Sequence, residues 1–139
     1  MNTGTVVSVN ISKHKGTCKE PVENIELIEG SGVASDAHAG GIRQVSVLET
    51  ESAKDIKEFK PGIYAENITV TSAGLTELKI GDSIKVGEAV IKLTEIGKVC
   101  PKKCAIYYKM GDCIMPRAGL FFDVSKGGIV MKGDQVERG

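Results

Sequence analysis

Seventeen glycines cut this chain into short β-branched runs, and few folds accept that rhythm. "TVVSVNI" (5–11), "NIELIE" (24–29), "RQVSVLE" (43–49) and "NITVT" (67–71) each read as strands of a half-buried sheet. "DSIKVGEAVIKLTEIG" (82–97) reads as a hairpin turning at Gly87-Glu88, and "GLFFDVSKGGIVMKGD" (119–134) as a second turning near Gly127-Gly128. Many short strands with glycine turns predict a mainly β fold, a small closed β-barrel with a few short helices. One amphipathic helix is predicted over 51–59. Ala53, Ile56 and Phe59 recur at threefold spacing, Thr50 or Ser52 is placed to cap the start, and Pro61-Gly62 ends it. "IGDSIKVGE" and "MKGDQVERG" share a Gly-Asp turn but are too short to be a repeat.

At 139 residues the chain is expected to be one domain, 1–139, with a core that needs no staples. Formal net charge is zero and aromatics are few, with three Tyr, three Phe and no Trp. Neither an electrostatic grip on nucleic acid nor base stacking is indicated. The N-terminal stretch "MNTGTVVSVNISKHKG" has no long apolar run, so neither a signal peptide nor a membrane span is read there. Four cysteines without a leader point to a reducing, cytoplasmic setting and free thiols.

Charge is nonetheless uneven. From 98 to 117 five basic residues (Lys98, Lys102, Lys103, Lys109 and Arg117) face Asp112 alone, whereas 19–66 carries ten acids against five bases. The basic stretch holds three of the four cysteines, in "GKVCPKKCAIYYKMGDC" (97–113). If Pro101 opens a short helix, Cys100 and Cys104 lie on one face near its N-terminus, where thiol pKa falls and anions are favoured. Three readings stand: a structural zinc, a redox or catalytic thiol pair, or a sulfur grip on an anionic cofactor. Zinc prefers closed paired spacing, and here Cys113 follows nine residues after Cys104 with Cys18 far away. Redox pairs prefer Cys-x-x-Cys. Cys18 and Cys113 read as small apolar packing residues, and His14 as a solvated loop residue.

Several stretches together resemble successive motifs of the MOSC domain, the family named for the C-terminal part of molybdenum cofactor sulfurases. They are "SDAHAGGIRQVSVLE" (35–49), "PGIYAENITV" (61–70), "LKIGDSIKVGEAVIKLTEIGKVCPKKC" (78–104) and "MPRAGLFFDVSKGGIV" (115–130). The resemblance covers about residues 3 to 135 and is nearest to small stand-alone bacterial members. It implies a MOSC-type β-barrel that binds the molybdenum cofactor (molybdopterin), a pterin with a metal-bearing dithiolene and a phosphate, or the sulfur destined for it. The family's cysteine, a metal ligand or sulfur carrier, falls at Cys100 or Cys104. A thiolate suits both roles, as a soft ligand and as a nucleophile.

Lys98 and Arg117 suit the cofactor phosphate, Arg by its planar fork. Asn67 offers an amide to the pterin edge, and its alternative is a strand-start residue tying backbone. Asp36, His38 and Arg43 stand in or beside a glycine-rich loop where backbone can approach a ligand, and the alternative for His38 is satisfied structure. The implied partner is a molybdoenzyme or sulfur-transfer protein. A second implied role is a molybdenum oxidoreductase reducing N-hydroxylated compounds. The chain carries no ferredoxin cysteine set and no GxGxxG, so such an enzyme would draw electrons from separate proteins. A zinc-stabilised interaction domain is the third and weaker reading.

Overall fold

The computed structural model describes residues 3–13, 18–37, 39–41, 44–57, 59–97 and 118–138. Eleven strands account for most of them: β1 (Thr3–Ile11), β2 (Glu20–Val22), β3 (Asn24–Ile28), β4 (Gly32–Val33), β5 (Val45–Glu49), β6 (Ile68–Thr71), β7 (Ser83–Val86), β8 (Ala89–Ile96), β9 (Leu120–Lys126), β10 (Gly128–Met131) and β11 (Gln135–Arg138). The order β11-β7-β8-β9-β5-β6-β1 closes on itself through β1 and β11, giving a seven-strand barrel, with β2 alongside the far end of β1. β10, β3 and β4 form a separate small sheet. The mainly β barrel expected from the sequence is the fold.

Alternation fills the barrel. Val6, Val9, Val45, Val47, Ile68, Val70, Ile91, Leu93, Phe122 and Val136 belong to one buried apolar cluster. A bulge between Val6 and Ser8 resets the period of β1, so Val9 rather than Ser8 continues the apolar face. Ser8 and Asn10 are thereby left to the opposite, outer face, yet both are buried. Something must cover that outer wall.

The cover is the β5–β6 connection. These two strands are parallel, and parallel neighbours need a crossover. Among its described residues no α-helix forms, which corrects the helix predicted over 51–59. A 3-10 turn spans Thr50–Ala53 with no side-chain cap, and further turns follow, with Ile56 N–H donating to Ala53 O (3.0 Å) and Phe59 N–H to Ile56 O (3.2 Å). The spacing of Ala53, Ile56 and Phe59 is three, the period of this tighter coil rather than 3.6. All three pack in a second cluster with Leu48, Ile63, Tyr64 and Phe121, outside the barrel wall, and Phe59 stacks on Tyr64. β5 is consequently buried along its whole length.

The hairpin predicted at 82–97 forms as β7 and β8. That predicted over 119–134 does not: after β9 the chain breaks at Gly127, and β10 pairs with β3 instead. A Cβ on Gly127 would lie 2.5 Å from Leu27 O, so only glycine permits this crossing over β3. The two Gly-Asp segments do share one geometry. Asp82 accepts from Lys79 N–H and Asp134 from Met131 N–H, both at 2.9 Å, and each leads into a strand of the antiparallel β7–β11 pair.

Candidate functional site

The outer wall of β1, β5 and β6 is polar, buried and fully cross-linked. Ser8 Oγ donates to Asn10 Oδ1 (2.7 Å), and Asn10 Nδ2 reaches Glu66 O (3.0 Å) and Thr69 Oγ1 (3.2 Å). Asn67 Oδ1 accepts from Ser46 N–H (3.0 Å) and Ser46 Oγ (3.1 Å), while its Nδ2 donates to Asn10 O (3.3 Å). The Asn67 amide, expected against a pterin edge, is thus engaged inward, tying the start of β6 to β5 and β1.

Glu66 closes the adjoining loop on itself. It has no exposed surface and accepts from Gly62 N–H (3.0 Å), Tyr64 N–H (3.2 Å) and Thr69 Oγ1 (2.8 Å). Burial pushes its carboxyl above the ordinary value of about 4.5, against these hydrogen bonds. Burial does the same to Glu49, which accepts from Leu75 N–H. In Glu51 burial also pushes upward, but bonds from Thr71 and Ser72 outweigh it and the carboxyl falls below the usual range.

A raised carboxyl holds its proton in the fold while the unfolded chain has released it. Its contribution to stability is therefore complete below about pH 4.5 and is lost as pH rises through the folded value. Glu66→Gln should flatten the fall in urea stability above that pH relative to wild type. Parallel pH profiles for the two proteins would show that Glu66 titrates alike folded and unfolded.

The third element is the loop around Asp36. Asp36 Oδ1 accepts from Lys19 Nζ (2.8 Å) and from Ser12 N–H (3.0 Å), and Lys19 Nζ also donates to Ser12 Oγ (3.0 Å). Both charged side chains are 0% exposed. The expectation that Asp36 touches a cofactor meets a carboxylate turned wholly inward. Lys19 N–H in turn donates to Gly62 O (2.8 Å), joining this loop to the Glu66 loop. Ser35 (φ 67) and Ala65 (φ 65) stand immediately before Asp36 and Glu66, non-glycine residues held in the left-handed region. Such conformations persist only where their surroundings over-determine them.

His38, Arg43, Lys98, Cys100, Cys104 and Arg117 lie outside the described residues. The ends of the cysteine segment are described. Gly97 N–H donates to Gly119 O (2.6 Å), and Ala118 packs on the outer cluster of Leu48, Tyr64 and Phe121, as does Cys18. Sequence reasoning named Asp36 and Asn67 but missed Lys19, Ser46 and Glu66. The one signal for Glu66 was its place beside Asn67 between apolar runs. For Lys19 there was none.

Among the described residues no three His, Cys, Asp or Glu side chains gather as a metal site, and no helix is long and apolar enough to cross a membrane. An open cleft of about 370 Å³ between β7, β10 and β11 contains none of the expected site residues. Two of its carboxylates, Glu88 and Asp134, accept from Ile129 and Met131 N–H along β10.

The sequence matches the MOSC domain over residues 34–137. The chain belongs to the MOSC domain family. The match spans the Asp36 loop, the β5–β6 crossover and the cysteine segment. Solved structures share the fold of this MOSC protein. The YuaD protein of Bacillus subtilis is 19% identical with a TM-score of 0.75, covering 97% of this chain and 94% of its own. YiiM of Geobacillus stearothermophilus is 19% identical with a TM-score of 0.73, covering 98% and 75%. YiiM of Escherichia coli is 18% identical with a TM-score of 0.70, covering 99% and 69%. No curated protein matches. The MOSC family is associated with molybdenum cofactor binding and sulfur transfer.

Proposed function

We propose that this MOSC protein binds the molybdenum cofactor, or sulfur destined for it, on the outer wall of β5 and hands it to a molybdoenzyme or sulfur-transfer partner in the cytoplasm. The observation that carries the reading is the rooting of the cysteine segment. Ala118, next to Arg117, packs on the same cluster as Cys18, the neighbour of Lys19. The chain therefore leaves the basic thiol segment at the layer that also holds Cys18, beside Lys19, and Tyr64 of the Glu66 loop.

The donor chemistry fits such a group. Cys100 or Cys104 offers a soft thiolate, and Lys98, Arg43 and Arg117 offer cations for a phosphate. His38, in the glycine-rich stretch after Asp36, is a further candidate to contact the ligand. When bound, the cofactor supplies a dithiolene-held metal that accepts sulfur. The chain's own residues would bind and orient it.

Protein made in a cofactor-producing host should carry molybdenum and pterin and little zinc. Cys100→Ser or Cys104→Ser should abolish retention of cofactor or persulfide, while Cys18→Ser and Cys113→Ser retain it. Stoichiometric zinc, with unfolding on chelation, would replace this reading with a structural metal.

A further inference from the structure

We infer that Lys19 and Asp36 are positioning residues: their buried ion pair presets the backbone at Ala37 and Gly40 for the proposed ligand, and Asp36 acts through Lys19 rather than on the ligand. The inference rests on the cofactor reading of this site for its consequence, and on geometry alone for the loop.

Both side chains are 0% exposed, so neither offers surface to a ligand in this arrangement. Nor is the pair an efficient source of stability, because desolvating two charges offsets most of their attraction. What a buried pair does supply is discrimination among backbone arrangements, since every alternative that separates the charges strands them in a poor solvent. The loop it holds needs such discrimination. Ser35 and Gly40 adopt φ of 67° and 79°. Asp36 N–H donates to Val33 O and Ala39 N–H to Asp36 O, both at 3.2 Å. Ala37 N–H donates to Ser12 O and Gly40 N–H to Ser31 O, both at 2.8 Å.

The contacts of Lys19 reach further than one loop. Its ammonium grips Ser12 and Asp36, and its backbone N–H is held by Gly62 O. The end of β1, the Asp36 loop and the Glu66 loop are thus referenced to one residue. Preorganisation of this kind lowers the cost of ordering a site when ligand arrives.

The test removes both charges while keeping an acceptor for Ser12 N–H, in Lys19→Met/Asp36→Asn. Amide exchange at Ala37 and Gly40 should accelerate by about tenfold or more with the barrel strands protected as before. Affinity for molybdenum cofactor released from a molybdoenzyme should fall about tenfold. Unchanged exchange at both amides would overturn the inference, as would faster exchange with unchanged affinity. If wild type binds no cofactor yet exchange still rises, the positioning role stands and the proposed function fails. Wild-type protein gives a check that needs no variant: Ala37 and Gly40 amides exchanging at open-chain rates would mean that nothing holds the loop.

Discussion

Lys19→Met alone should lower the stability of the fold by about 3–5 kcal/mol, a large part of the total for a domain of this size. Asp36 then keeps a buried charge without the ammonium that lay 2.8 Å away, and Ser12 Oγ loses a donor. The double variant Lys19→Met/Asp36→Asn should recover part of the loss, because the second change removes the charge that faced the lost ammonium. Urea denaturation of wild type, both single variants and the double gives the coupling directly. Losses that simply add would mean that the two charges do not interact as a pair.

The second large effect is expected at Gly62. Its φ of 88° lies in the left-handed region, and a Cβ there would collide with Lys19 O and stand 3.3 Å from Asn10 Cγ. The left-handed conformation costs alanine about 1–2 kcal/mol and overpacking against fixed backbone about 1–3 more, so Gly62→Ala should cost about 2–5 kcal/mol. Gly40 is the control. Its φ is 79°, but nothing lies within 4 Å of an added Cβ, so Gly40→Ala should carry only the conformational cost of about 1–2 kcal/mol. Equal losses at the two positions would show that the Lys19 carbonyl yields freely.

The strands were legible because their physics is local. β-branched alternation bounded by glycine marks β1, β3, β5 and β6, and Gly87-Glu88 marks the β7–β8 turn whatever the rest of the chain does. Partner choice is not local, which is why Gly127 read as a hairpin turn although Leu27 is what constrains it. In 51–59 the apolar residues recur at three with none at four, a spacing that suits the 3-10 turns found there better than an α-helix. Polar residues posed a different problem. Asp36 and Asn67 stand out as residue types, but composition carries no direction, and both side chains point into the protein. Lys19 and Glu66 look in sequence like any surface charge. Only the covering loops make them interior.

The 2.6 Å bond from Gly97 N–H to Gly119 O closes the β8–β9 ladder at its last rung, one residue past the Ile96–Leu120 pair. The barrel thus completes its hydrogen bonding before the cysteine segment begins. Lengthening a loop whose ends are already joined is inexpensive, about 0.6 kcal/mol for each doubling. The twenty residues from 98 to 117 therefore leave and rejoin the described structure at hydrogen-bonded neighbours, so barrel closure sets little limit on their length.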